Sequence, residues 1–328
     1  MLREVGVTLA GAFPRSEPLV AATRDLDRGR STPEAVEALY RTAEEEVVAL
    51  ERRIGSDRRT AGYLRWADLF RPIAEGWGGF AVGPVTRWYE TNTFYRQPIL
   101  RSPPERTPGA VARALPPPLR TPTGAAAALV RLPGPLTLAA ALENRSGETF
   151  EAIVHRLGRL LAEEVRELRG SGYRSFAFEE PELVVRPPRA ARAEALRAAY
   201  RAIDEAAGDA TTLAWTYFGD AGAARPILET LAVDLIGADL AETDPSTLAR
   251  GLGGRGIALG AIDPRTTLAE DPAAIAGLVR TVSAGAPSVW LLPAAPLDLL
   301  PAEPAARKAS LLAAARAAVV GAGPGGRP

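Results

Sequence analysis

The sequence predicts an α/β chain folded as a single (β/α)8 barrel, and three observations carry that expectation. Short apolar stretches alternate with longer amphipathic ones, and eight of the short stretches read as strands. The 328 residues suit one large barrel as well as two average domains. No glycine-rich phosphate loop follows the first strand, which weakens the competing open, doubly wound sheet.

Glu4 to Ala10 alternates in the manner of a strand, and Gly11-Ala12-Phe13-Pro14-Arg15 makes a loop. Ser31-Thr32-Pro33-Glu34 opens a helix with a hydroxyl cap, a proline in the first turn and an acid. That helix runs to about Ile54, Gly55-Ser56-Asp57 ends it, and a short strand or turn reaches Thr60. Residues 64–75 look helical. The aromatic segment 77–100 holds β-rich stretches at 80–85 and 87–95. Residues 101–123, dense in proline and arginine, are expected as a surface excursion within one domain spanning 1–328. Beyond them the rhythm is regular. Strands are expected at 126–132, 175–178, 211–217, 233–239, 257–261 and 288–292. Helices are expected at 136–144, 149–169, 190–207, 221–231, 245–252, 268–283 and 304–320.

Composition narrows the chemistry. Apolar residues make up 47%, enough for a core, and the formal net charge is zero. With no basic face in view, nucleic acid is not an expected partner. There is no cysteine, so disulfides, thiolate metal ligands and a cysteine nucleophile are all excluded. His155, the only histidine, falls in the middle of a helical stretch and reads as structural. Lys308, the only lysine, is expected to be solvated on the last helix. The N-terminus lacks the basic leader of a signal peptide and no apolar run of about 20 residues exists, so a cytoplasmic chain without membrane contact is expected.

In a barrel the carboxyl ends of the strands share one mouth. Ser175-Phe176-Ala177-Phe178 reads as a buried strand that ends on Glu179 and Glu180, stopped by Pro181. Asp220 and Asp239 fall at later strand ends. Trp66, Trp88 and Tyr95 can stack on a flat ring or simply anchor the core. Arg87 and Arg96 can bind carboxylates or sit on the surface.

Five segments in order carry a resemblance. Gly11-Ala12-Phe13-Pro14-Arg15, Arg65-Trp66-Ala67-Asp68-Leu69 and Asn92-Thr93-Phe94-Tyr95-Arg96-Gln97-Pro98 are three of them. Leu132-Pro133-Gly134-Pro135-Leu136-Thr137-Leu138 and Phe178-Glu179-Glu180-Pro181-Glu182-Leu183 complete the set. Together they resemble the cobalamin-independent methionine synthases, barrels that move a methyl group from methyltetrahydrofolate to homocysteine. The resemblance implies folate-like and homocysteine- or methionine-like ligands, with methyltetrahydrofolate or a methylcorrinoid as donor. It implies a catalytic role for Glu180, facing the substrate, and for Glu179, turned toward a neighbouring strand and an arginine. It further implies substrate contacts from Arg15, Arg65, Trp66, Asp68, Arg87, Trp88, Tyr95, Arg96, Tyr217, Asp220 and Asp239.

The chain also departs from that pattern. By resemblance the family's zinc ligands fall on Trp215, Tyr217, the neighbourhood of Asp239, and Ala295, so the histidine and cysteine ligands are missing and no zinc is expected. The pattern is closest to the zinc-free N-terminal barrel of two-barrel members. Three readings stand open: a methyltransferase of this type, a non-catalytic binding barrel that partners a separate zinc-bearing subunit, and a metal-independent decarboxylase-like barrel related to the uroporphyrinogen enzymes.

Overall fold

The computed structural model describes residues 5–283 and 285–321. Glu4, the expected start of the first strand, lies outside them. The elements in chain order begin with β1 (Val5–Val7), α1 (Glu17–Asp27), α2 (Pro33–Arg53), α3 (Arg71–Gly76), β2 (Gly78–Arg87) and β3 (Phe94–Glu105). They continue with α4 (Ala110–Ala114), α5 (Pro122–Ala127), β4 (Val130–Pro133), α6 (Pro135–Ala141), β5 (Glu143–Asn144) and α7 (Phe150–Gly170). Next come β6 (Ser175–Glu179), α8 (Glu182–Val185), α9 (Ala190–Ala207), β7 (Thr211–Trp215), α10 (Ala221–Leu228) and β8 (Leu235–Asp239). The described chain closes with α11 (Pro245–Ala249), β9 (Gly256–Ile262), α12 (Pro272–Ser283), β10 (Val289–Pro293) and α13 (Ala302–Gly321).

Seven strands form one parallel sheet in the order β1-β10-β9-β8-β7-β6-β4, one fewer than the eight expected. Its strands are buried almost throughout, as parallel strands covered by helices must be. Its two edges come together at Arg58 and Arg59, which make isolated parallel bridges to Thr8 of the β1 edge and to Ala128 of the β4 edge. Asp57 N donates to Val7 O at 2.8 Å, and Leu129 N donates to Arg59 O at 2.8 Å. The segment ends at once because Ala61 (φ 49°), Gly62 (φ 73°) and Tyr63 (φ 49°) are all left-handed. Buried Glu51 clamps this turn, accepting from Thr60 N at 2.6 Å, Thr60 Oγ1 at 2.8 Å and Ala61 N at 3.3 Å.

Inside the curl of the sheet, Trp215 and Tyr217 pack with Leu129, Ala177, Leu235, Ala258 and Leu292. Trp215 needs room that only glycine leaves. A Cβ on Gly237 would lie 2.7 Å from the indole, and one on Gly11 2.8 Å from it. The larger core lies between the sheet and the surrounding helices. Those helices start as hydroxyl caps dictate: Thr32 Oγ1 accepts from Ala35 N at 3.2 Å, and Thr149 Oγ1 from Ala152 N at 3.3 Å.

Several expectations change. The aromatic segment is an antiparallel β2–β3 hairpin that pairs with β5, in a separate three-stranded sheet beside the mouth. Residues 136–144 are therefore not one helix: α6 stops at Ala141, and Glu143-Asn144 pair with Ile99 and Leu100. The strand expected from Ala126 begins at Val130, because alanine-rich α5, capped by Thr121, occupies the preceding residues. Residues 101–123 are only in part a surface excursion. Val111, Leu115 and Leu119 are fully buried, Trp66 Nε1 donates to Ala114 O, and the Tyr173 hydroxyl donates to Leu119 O. Lys308 is not solvated: it is 2% exposed and donates to the Thr266 and Leu268 carbonyls at 3.0 and 2.6 Å, while pairing with Glu270 at 2.7 Å. His155 stands on the exposed side of α7. No described helix is long and apolar enough to cross a membrane.

Candidate functional site

The strand ends open into a cleft of about 550 Å³, counting the space open to solvent. Trp66, Phe70, Trp88, Tyr95 and Phe218 supply its aromatic walls, and Asp68, Arg131 and Asp298 its charged groups. Backbone strain collects here. Tyr63 (φ 49°), Tyr89 (φ 46°) and Phe218 (φ 67°) are non-glycine residues held left-handed around the mouth.

Arg131 is the one charged residue of β4, 5% exposed, and its Nε and Nη2 face the Glu179 carboxylate at the end of β6. The Tyr217 hydroxyl donates to Glu179 Oε2 at 2.5 Å. Burial first, and then the charge of Glu179, push the Tyr217 phenol well above its ordinary value, so it stays a donor. The arginine expected beside Glu179 is thus Arg131. Its guanidinium lies 6.0 Å from the ring centroids of both Tyr63 and Trp66.

Glu180 does not face the cleft, contrary to expectation. It is fully buried and turned the other way, accepting from Thr137 N at 2.6 Å, Leu136 N at 3.3 Å and the Tyr200 hydroxyl at 3.1 Å. Its place is the first turn of α6, where free backbone N–H groups favour a carboxylate. Burial nonetheless pushes its pKa up to about 7, against those hydrogen bonds.

The remaining expected residues divide into wall, support and outlying groups. Arg15 supports: its Nε donates to Leu64 O at 2.8 Å and Nη2 to Trp66 O at 3.1 Å, which seats Trp66. Asp68 accepts from Phe70 N at 3.0 Å and Arg96 N at 3.1 Å, joining the hairpin to the wall. Asp239, fully buried, accepts from Phe218 N at 3.2 Å and pairs with Arg265, so it pins the strained Phe218 and is no part of the cleft lining. Trp88 and Tyr95 pack edge-to-face on Phe70 with centroids 5.4 and 5.1 Å away. Arg87 and Arg96 are exposed on the hairpin, where Arg87 lies over Phe94 and Arg96 bonds Gly83 O. Arg65 is held by Glu37 and Glu44 of α2, away from the cleft lining. Asp220 caps α10 through Gly222 N at 2.7 Å and is likewise no part of the cleft.

Arg131, Asp298 and Phe218 were missed by reasoning from the sequence. The signal for Arg131 was a single charge inside the apolar run Ala128-Leu129-Val130-Arg131-Leu132. For Asp298 it was an acid soon after the last strand, in Pro296-Leu297-Asp298. Asp298 is exposed to the cleft and makes no ion pair among the described residues. Crowding by surrounding protein pushes its carboxyl up to about 6; Arg131 opposes the shift and Glu179 adds to it.

A parallel sheet under helices, with an aromatic and charged cleft at the strand carboxyl ends, makes a barrel-type α/β protein whose cleft is the candidate site. The model of the cobalamin-independent synthase N-terminal domain matches residues 57–286, and the chain belongs to the cobalamin-independent methionine synthase family. It is 29% identical over 231 residues to the 5-methyltetrahydropteroyltriglutamate–homocysteine methyltransferase of Mycobacterium tuberculosis, covering 68% of this chain and 29% of that one. The enzyme of the same name from Nitratidesulfovibrio vulgaris is 29% identical over 271 residues, covering 74% of this chain and 34% of its own. The chain thus spans about a third of the length of these relatives. Its fold is similar to that of a B12-independent methionine synthase from Shewanella sp. W3-18-1, solved in complex with selenomethionine. That match has a TM-score of 0.75 and 16% identity, and covers 96% of this chain and 97% of the other. A methyltransferase from Methanosarcina mazei matches with a TM-score of 0.62 and 12% identity, covering 96% and 94%.

The positions on which the sequence resemblance places the family's zinc ligands do not suit that metal. Trp215 and Tyr217 are fully buried, with rings packed at 5.1 Å, Ala295 has no donor atom, and Asp239 is already paired with Arg265. Among the described residues no group of three or more histidines and acids is arranged to hold a metal ion. A zinc that activates a thiol needs nitrogen and sulfur ligands, which these positions lack.

Proposed function

We propose that this chain serves methyl transfer of the methionine synthase type as a zinc-free barrel, binding a small substrate in the cleft of Trp66, Trp88, Arg131 and Asp298. Activation of the acceptor thiol then rests with a separate zinc-bearing barrel. The observation that carries this reading is the contrast between an open, aromatic, charged cleft and expected zinc positions that offer no histidine nitrogen or cysteine sulfur, their oxygen atoms on Tyr217 and Asp239 being already bonded. Methyltetrahydrofolate is the expected donor and homocysteine the expected acceptor of the complete system. The same reading takes Arg58-Arg59 as the eighth strand of a closed barrel, cut to two residues by the left-handed turn after it.

The test is turnover of methyltetrahydrofolate and homocysteine by the chain alone and with an added zinc-bearing barrel of the same family. No methionine from the chain alone, and methionine from the pair, is the expected outcome. Sustained turnover by the chain alone would show that it activates the thiol without those ligands. No turnover in either arm, with no binding of homocysteine, methionine or methyltetrahydrofolate by calorimetry, would remove the reading.

A further inference from the structure

The cleft shares a wall with a second cavity. Behind Trp88 and Tyr95, which line both, lies a space of about 510 Å³, counting what is open to solvent, bounded by Thr137, Ala140, Glu182 and Arg186. The two halves of that wall are held differently. Tyr95 is fixed: its hydroxyl donates to Ala141 O at 3.3 Å, and beside it Arg96 N donates to Asp68 Oδ2 at 3.1 Å and Gln97 Nε2 to Ala141 O at 3.4 Å. Trp88 is held by edge-to-face packing on Phe70, Tyr89 and Tyr95. It belongs to the hairpin turn 88–93, which is closed on itself: Trp88 N donates to Thr93 O at 2.9 Å, Thr91 Oγ1 to Trp88 O at 2.6 Å, and Thr93 N to Thr91 Oγ1 at 3.2 Å. Among the described residues one hydrogen bond joins this turn to anything outside the hairpin, from the Tyr89 hydroxyl to Glu182 Oε2 at 3.1 Å. The turn can therefore swing as a unit for the loss of one polar contact. Strain favours that swing. Tyr89 (φ 46°) and Phe218 (φ 67°) meet with ring centroids 5.7 Å apart, both left-handed, and such strain lasts only where the surroundings hold it. Glu182, 7% exposed, is a firm anchor, fixed by Arg186 Nε and Nη2 at 2.7 and 2.8 Å.

We propose that the hairpin turn 88–93 is a gate between the two cavities, latched by the Tyr89 hydroxyl on Glu182, and that unlatching joins them into one site for a ligand too long for the cleft alone. The proposal rests on the reading of this cleft as the substrate site and adds how that site is regulated. A ligand the size of methionine enters with the gate shut, and one the length of methyltetrahydrofolate requires it open. Glu182 acts through Tyr89 on Trp88 and is a positioning residue.

Fluorine NMR of the chain labelled with 5-fluorotryptophan reads the latch without any ligand. There are five tryptophans, and Trp88→Phe identifies the signal of Trp88. Tyr89→Phe keeps the ring and its contacts and removes the hydroxyl. In that variant the Trp88 signal should move toward that of a solvent-exposed indole, while those of the buried Trp77 and Trp215 stay in place. Glu182→Gln, which keeps an acceptor oxygen for Tyr89, should move the signal less than Glu182→Ala. Calorimetry supplies the second arm. Tyr89→Phe should bind methyltetrahydrofolate about tenfold more tightly than the unaltered chain, since one hydrogen bond to a carboxylate no longer opposes opening. Methionine should bind both with equal affinity. A merely structural role for Tyr89 would weaken the two ligands alike. A Trp88 signal that stays in place in Tyr89→Phe would overturn the proposal, and so would methyltetrahydrofolate bound equally by both chains. Neither ligand bound by either chain, with the Trp88 signal moving as expected, would remove the functional reading and leave the gate standing.

Discussion

Glu179, Arg131 and Tyr217 form a buried unit in which each polar atom depends on the others. Removing one charge from such a pair leaves the other buried without compensation, which costs more than the pair itself contributes. Glu179→Gln should therefore destabilise the chain by about 3–5 kcal/mol. Tyr217→Phe, which removes one hydrogen bond, should cost roughly 1–3 kcal/mol. Arg131→Met combined with Glu179→Leu should recover much of the loss, since neither charge then remains. Urea denaturation of the three variants checks this, and a double variant as unstable as Glu179→Gln would show that packing, not charge, dominates. The sequence made both adjacent acids visible, and alternation along a strand told that they point apart. It did not tell which one reaches the cleft. That depends on where α6 places its first turn beside β6, a contact between residues 43 and 44 positions apart.

Among the elements, the β-strands and long helices of the second half were legible because each carries its own periodicity. Elements defined by tertiary pairing were not. β5 exists only because Ile99 and Leu100 offer it a partner, and the Arg58-Arg59 bridge only because two sheet edges meet there. Lys308 shows the same limit. On α13 it looks like a solvated lysine, yet it reaches the loop after β9 and binds the carbonyls of Thr266 and Leu268 together with Glu270. That loop also carries Arg265, which pairs with Asp239 at 3.2 Å and through it with the backbone of Phe218. Lys308→Ala should destabilise the chain by about 3 kcal/mol, because a half-buried carboxylate and two carbonyls lose their buried donor. Hydrogen exchange should rise first in residues 263–271. Uniformly unchanged exchange there would mean that the loop holds its shape without Lys308.

For the molecule as a whole, the buried acids set the direction in which pH acts. Glu51, which holds the left-handed turn at Thr60 and Ala61, and Glu180, which holds the start of α6, are both fully or almost fully buried, and burial pushes each up to about 7. In the unfolded chain both return to an ordinary glutamate value near 4.3. Between those limits the folded chain binds more protons than the unfolded one, so stability falls as pH rises. The loss begins near pH 4.5, is complete a little above pH 7, and amounts to roughly 3 kcal/mol for each group. Asp25 beside Arg30 and Glu194 beside Arg201 have lowered values and exert the opposite effect below this window. Thermal melts should therefore show a Tm that declines from pH 5 to pH 7.5 and then levels. Glu180→Gln loses one acceptor for the α6 N–H groups and so starts lower at pH 5, but its decline should be shallower, since Glu51 and Asp298 still titrate and Glu180 no longer does. An unchanged slope in Glu180→Gln would mean that the carboxylate is as stable inside the fold as in water, with the N-terminus of α6 and Tyr200 fully offsetting its burial.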